Sequence, residues 1–456
     1  EMCTRDRLRF LIDHVLSFPQ NVSRHRYIVS MSTASTGAHT LRRYSKKHHI
    51  IALVGTIGIG VAGCVVTSPI ATAENMCRPY APGSSEQLSA AVTGSSSNDL
   101  LGSSDLGSSF PRKTPSRLPS STKSTKALYQ FTGPDSPDQT EQAGLSTTDL
   151  GIMWDSGDGR TLIAFGDSFR CVPGQGEGWH SNALFYSHSG NPARGFRIDG
   201  VASGDSSSEF LPQALHRDGV EMTKIPTAGI HIDGVQYVDF MSIKKWGKPG
   251  QWTTNYAQTV QSRDGGKTWK PSAGSTRTNT NPSNDPRVAQ GLPNHVPGLE
   301  NFQMTAFVQD KNDSKFVYVF GTPNGRHGAA RLARIPTADF PSWDTAEFWT
   351  GSSWSTKATD ASPVIDGRVS EMHVHFNKHL GRWVAMYENA SGIVLRQADS
   401  LEGPWEPAKT VISRLQSPDI YGAFPFPQQS GKDLYFVATQ WSGYNPTVFR
   451  TDLDQL

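Results

Sequence analysis

The stretch TTDLGIMWDSGDGRTLIAFGDSF, residues 147–169, carries the side chains best suited to chemistry. Ser156-Gly157-Asp158-Gly159-Arg160 is a turn signal between two β-rich runs, so the stretch reads as a hairpin. Folded about Asp158, it sets Asp149 opposite Asp167 on one face, with Cβ atoms about 5 Å apart. A bulge in the turn would shift that match by one residue. Two carboxylates this close, with no cation between them, repel each other. One pKa then rises, leaving one acid protonated and the other ionised near neutral pH. Glycoside cleavage needs that division into acid and base. A structural alternative fits the same spacing: Asp149 caps a turn, and Asp167 sits in a Gly-Asp-Ser turn.

Other residues join the candidate set as substrate contacts. Trp179, His180 and Asn182 follow the hairpin and could stack on sugars and hydrogen-bond to them, though Trp179 also suits loop packing. Glu371, His373 and His375 alternate on an expected strand and so share a face. They read as a third acid with supporting histidines, as a zinc-type set, or as hydrogen-bonded structural residues. Tyr421, before Gly422, either faces a central cleft or fills space between blades. Glu371 and Tyr421 are assigned to substrate binding, and no metal or cofactor is expected.

These residues need a scaffold. From residue 127 onward, short β-rich runs recur at 161–169, 235–243, 316–323, 382–390 and 433–441, each after a turn signal. Five hairpins at this spacing predict an all-β, five-bladed β-propeller over 127–456. A pair of β-sandwiches is the alternative. Ser262-Arg263-Asp264-Gly265-Gly266-Lys267-Thr268-Trp269 resembles the Asp-box of sialidase-type propellers. The run from Ala398 to Trp405 resembles the outer hairpin of arabinanase-like propellers.

The opening hairpin, with Trp179-His180-Ser181-Asn182, VSEMHVHFNKHLGRWVAMYENA (369–390) and YGAFPFP (421–427), resembles a wider family. That family was catalogued as a domain of unknown function, number 4185, and is grouped as glycoside hydrolase family 183, endo-D-arabinanases. The resemblance implies D-arabinan chains of arabinogalactan and lipoarabinomannan as substrate. It also implies that the family's paired hairpin acids fall on Asp149 and Asp167.

The rest of the chain reads as address and tether. Residues 1–30 look like a gene-model extension ahead of Met31. Residues 31–73 form a signal-like segment: a basic cluster, an apolar run from Ile50 to Val66, and Val61-Ala62-Gly63-Cys64. The last four resemble a lipobox, with Cys64 as the lipidated residue; Ala71-Thr72-Ala73 is a competing cleavage site. Gly58-Ile59-Gly60-Val61-Ala62-Gly63 matches a dinucleotide fingerprint but lies inside this segment, with no soluble strand before it. Residues 74–126 read as a flexible Ser-rich linker. A Cys77–Cys171 disulfide and free thiols are both open.

With 43 Lys and Arg against 41 Asp and Glu, and only 18% charged residues, nothing points to nucleic acid. The 11 Trp suit carbohydrate. The expectation is a monomer outside the cell, lipid-anchored or released, acting on cell-wall polysaccharide and touching membrane only through its anchor. Two other functions remain: a glycan-binding propeller without catalysis, and a sialidase-like hydrolase. The second needs an arginine cluster that Arg326, Arg331 and Arg334 do not convincingly supply.

Overall fold

Five antiparallel sheets form the blades of a propeller. The computed structural model describes residues 118–456, apart from 139, 171–177, 205–208, 311 and 430. The expected export segment with Cys64, most of the linker, and both Cys77 and Cys171 lie outside the described residues.

The inner strands are Thr147–Asp155 in blade I, Thr223–Ile232 in blade II, Met304–Asp310 in blade III, Met372–Asn377 in blade IV and Ile420–Pro425 in blade V. They pack against one another in ring order, with blade V meeting blade I. A narrow axial cavity takes one or more lining residues from every inner strand: Ile152, Thr227, Ala306, His373 and Phe424 among them.

The second strands are Thr161–Phe169, Val235–Trp246, Asp313–Thr322, Arg382–Asn389 and Asp433–Gln440. They coincide with the five runs expected from the sequence. These strands are near-continuous apolar runs, as strands covered on both faces should be. Leu162, Ile163, Ala164 and Phe165 in blade I, and Leu434, Phe436, Val437 and Ala438 in blade V, are almost wholly buried.

Blade V is completed from the far end of the chain. Its outer strand is Thr125–Gln130, which pairs antiparallel with Asn445–Asp452. The hydroxyls of Thr125 and Thr451 lie 2.8 Å apart across this seam.

Two turn motifs lock neighbouring blades. In the Asp-box, Asp264 accepts from the Ser262 and Thr268 hydroxyls and from the Lys267 and Thr268 amides. Gly265 and Gly266 take φ of 74° and 92°, which side chains resist. Trp269 Nε1 donates to the Gly266 carbonyl. Arg160, from the blade I turn, donates to the Gly265 carbonyl at 2.9 Å. In blade IV, Trp405 packs edge-on to Phe320 of blade III.

Between blades II and III lies a fully buried ion pair, Arg277 Nη2 to Asp239 Oδ2 at 2.5 Å. Thr259 and Thr305 also donate to Asp239, at 2.8 and 2.7 Å. Removing one partner strands the other charge in the core. We expect Asp239→Ala to lower unfolding stability by about 3–5 kcal/mol in urea titrations.

Candidate active site

The inner strands begin, and the second strands end, on one face of the ring, so side chains from those positions converge there. Blade I supplies the two aspartates. Its register pairs Thr148 with Ser168 and Ile152 with Ala164, the alignment that a turn centred on Asp158 requires. The ladder breaks beside Asp149, not in the turn: register shifts fall between Thr148 and Leu150 and between Leu150 and Ile152. Leu150 and Gly151 take φ of 68° and 99°. A bulge re-aims the side chain beside it. The Leu150 amide released by this bulge donates to Thr439 Oγ1 of blade V at 3.0 Å. The Asp149 carboxylate lies over Gly166, where an added Cβ would come within 2.3 Å of Oδ1.

The two acids have different partners. Asp149 Oδ2 accepts from the Tyr421 hydroxyl of blade V at 3.0 Å. Asp167 Oδ1 accepts from Trp179 Nε1 at 3.0 Å and from Thr223 Oγ1 of blade II at 2.6 Å. Burial, then the charge of Asp167, pushes Asp149 well above the usual carboxylate range. Burial also raises Asp167, but the hydrogen bonds from Thr223 and Trp179 oppose it, leaving it at about 6. Of the two, Asp149 is therefore pushed further towards its protonated form, and Asp167 is the better stabilised as an anion.

Blades III to V build the opposite wall. Arg326 reaches in after the second strand of blade III and grips Glu371 with Nε at 3.0 Å and Nη2 at 2.7 Å. Burial pushes the Glu371 carboxyl up, but Arg326 outweighs it and holds the group below its ordinary value. The guanidinium lies 4.5 Å from the Tyr421 ring centroid and 5.5 Å from that of Trp252. Tyr444 joins the cluster with a hydroxyl raised far above the usual range, first by burial and then by Asp149. Trp441 stands between the tyrosines, 6.4 Å from Tyr421 and 5.4 Å from Tyr444.

The structure thus brings Asp149, Asp167, Trp179, Glu371 and Tyr421 to one face. Asn182 is placed differently. It is fully buried, donating to the Lys224 carbonyl and accepting from the Phe210 and Leu211 amides, so it holds the backbone. His180 is half-buried and pairs in register with Ser168, beside Asp167. His373 and His375 follow Glu371 into the channel with ring centroids 5.5 Å apart. Burial pushes them down to about 3 and about 4, so both stay neutral. Among the described residues no three or more His, Cys, Asp or Glu gather in the manner of a metal site. Arg326, Thr223, Trp252 and Tyr444 are absent from the sequence-derived set; Thr223 and Trp252 come from different strands of blade II, Arg326 follows the second strand of blade III, Tyr444 sits in a turn of blade V, and none has a motif around it.

A carboxyl with a raised folded pKa binds its proton more tightly folded than unfolded. Its contribution to stability is present at low pH and lost as pH rises through the folded value. For Asp167 that window runs from about 4 to about 6. We expect Asp167→Asn to be more stable than the parent at pH 7.5, by on the order of 1–3 kcal/mol, with the gain vanishing near pH 4. Urea unfolding at the two pH values checks this.

Comparison with known proteins places this geometry among relatives. Notoamide biosynthesis cluster protein J of Aspergillus sp. (strain MF297-2) is 26% identical over 327 residues, covering 66% of this chain and 80% of that protein. Xylan beta-1,4-xylosidase from Bacillus halodurans C-125 superposes with a TM-score of 0.40 at 10% identity, over 67% of this chain and 53% of that one. A family 117 glycoside hydrolase from Zobellia galactanivorans superposes with a TM-score of 0.39 at 11% identity, over 72% of this chain and 90% of that one. The family described as domain of unknown function (DUF4185) matches residues 135–450, and the chain belongs to it.

Proposed function

We propose that the protein is an endo-acting glycoside hydrolase that cuts D-arabinofuranosyl linkages in cell-wall arabinan, with Asp149 as proton donor and Asp167 as its anionic partner. The observation that carries this reading is the unequal treatment of two facing acids. Asp167 Oδ1 receives two hydrogen bonds that stabilise an anion, whereas burial and the charges of Asp167 and Glu371 push Asp149 towards its protonated form. A protonated carboxyl can donate to the departing sugar oxygen. An ionised one can activate water or attack the anomeric carbon.

Arabinan is uncharged, and the wall suits an uncharged sugar. Arg326 is committed to Glu371. Arg331 donates to the Ala361 carbonyl, and Arg334 pairs with Glu347 in blade III, so the three do not form the arginine cluster of a sialidase-like site. Trp179 and Trp441, both half-buried, offer aromatic surface for sugar rings. The arabinan assignment itself rests on the resemblance of the hairpin and of residues 369–390 and 421–427. In this reading the protein works outside the cell membrane as a monomer, held through Cys64 or released.

We expect the protein to release arabino-oligosaccharides from arabinogalactan. Asp149→Asn and Asp167→Asn should each lower kcat by about a thousandfold or more. Asp149→Asn should recover most of its loss on aryl arabinofuranosides, whose leaving groups need no proton; Asp167→Asn should not. The acid limb of kcat/KM should fall near pH 6, where Asp167 takes up its proton. If the folded parent binds the polymer but releases nothing, the protein is a glycan-binding propeller.

A further inference from the structure

Asp167 takes its orientation from donors that are themselves held in place. Thr223 is anchored in the inner strand of blade II. Trp179 lies in a two-residue strand, Trp179–His180, and needs other support. His216 supplies it: its imidazole meets the indole edge-on, with centroids 4.2 Å apart and planes at 79°. His216 Nε2 in turn lies 3.1 Å from Glu209 Oε1.

Glu209 is pinned from two further directions. Its Oε1 accepts from the Ser181 amide at 2.7 Å and its Oε2 from the Ala214 amide at 3.2 Å, with the side chain 9% exposed. The backbone at His216 is left-handed, with φ of 51°, a conformation that ordinary residues adopt at a cost. Both residues sit in the connection between the outer strand of blade I and the inner strand of blade II. Neither belongs to an apolar core cluster.

We propose that Glu209 and His216 are positioning residues that act through Trp179, holding its indole N–H on Asp167 so that this carboxylate keeps its working orientation. The inference rests on the hydrolase reading above. Indole is a donor only, so the Trp179–Asp167 bond favours the ionised carboxylate and is lost if the ring swings away. The charged groups facing His216 are Glu209 and Asp167. Nearby Lys224 and Glu221 are paired with each other at 3.2 Å. Besides burial and its two donors, Asp167 is lowered by His216 and raised by Glu209.

The test uses the full chain on arabinan, with kcat, KM, pH profiles and thermal unfolding for the parent and five variants. His216→Asn is chosen because Asn tolerates a left-handed backbone. We expect it to lower kcat by about ten- to a hundredfold with KM within about threefold, and to move the acid limb to higher pH. Glu209→Gln should lower kcat in the same way with KM little changed; kcat decides for this variant, because loss of the Glu209 charge itself lowers Asp167 and opposes the move of the acid limb. Trp179→Phe keeps ring packing without the N–H and should match or exceed the loss in His216→Asn. The double variant His216→Asn with Trp179→Phe should be no worse than Trp179→Phe alone. The inference is overturned if folded His216→Asn keeps the parent's kcat and acid limb and folded Glu209→Gln the parent's kcat, or if the double variant's losses add. Should His216→Asn fail to fold, Glu209→Gln decides. Asp167→Asn separates the two readings: if it stays active, the hydrolase roles fall and the positioning inference with them. If it is inactive while His216→Asn matches the parent, the positioning inference alone fails.

Discussion

Two carboxyl groups come together at one face of the ring, and much of what surrounds them follows from making that tolerable. Repulsion and burial both favour keeping a proton on one of them. Which one keeps it is decided by neighbours from other blades. Thr223 and Trp179 stabilise negative charge on Asp167, while Asp149 has the Tyr421 hydroxyl and the unfavourable company of Glu371. Arg326, the cation closest to this group of acids, neutralises Glu371. Moving Arg326 onto Asp149 would hold both aspartates ionised and remove the asymmetry.

The bulge at Leu150–Gly151 serves the same constraint by local means. A regular ladder would point Asp149 straight across at Asp167. The break tilts it over Gly166 and towards blade V, where Thr439 satisfies the Leu150 amide. Gly166 is a glycine because the carboxylate needs the space that its Cβ would fill.

Much of the fold was legible because second strands buried on both faces become apolar runs, and turn residues mark their starts. The hairpin register was also legible, since the Thr148–Ser168 and Ile152–Ala164 pairs follow from a turn centred on Asp158, but Asp149 falls in the bulge and is not paired with Asp167. Of what distant blades contribute, Glu371 and Tyr421 were legible and the rest was not. Arg326 and Tyr444 have no sequence signature, since their meaning comes from what the ring brings next to them. Asn182 illustrates the converse: a polar side chain just after the first hairpin looks like a ligand for sugar, yet its amide meets three backbone groups and serves the loop. The bulge beside Asp149 was not legible: the turn carries none, and the register shifts fall on either side of Leu150.

The ring is closed by Thr125–Gln130 pairing with Asn445–Asp452, and the consequence is one of timing. Thr125 and Thr451 are 326 positions apart, so the first of the described strands to be made is among the last to find its partner. At ribosomal speeds the wait is roughly 16–65 s, during which the early strand has an unpaired edge. Blades I to IV can form as local meanders while blade V cannot. The seam is therefore the step at which a chain that emerges slowly, or is threaded unfolded across a membrane, is most exposed to pairing with the wrong neighbour.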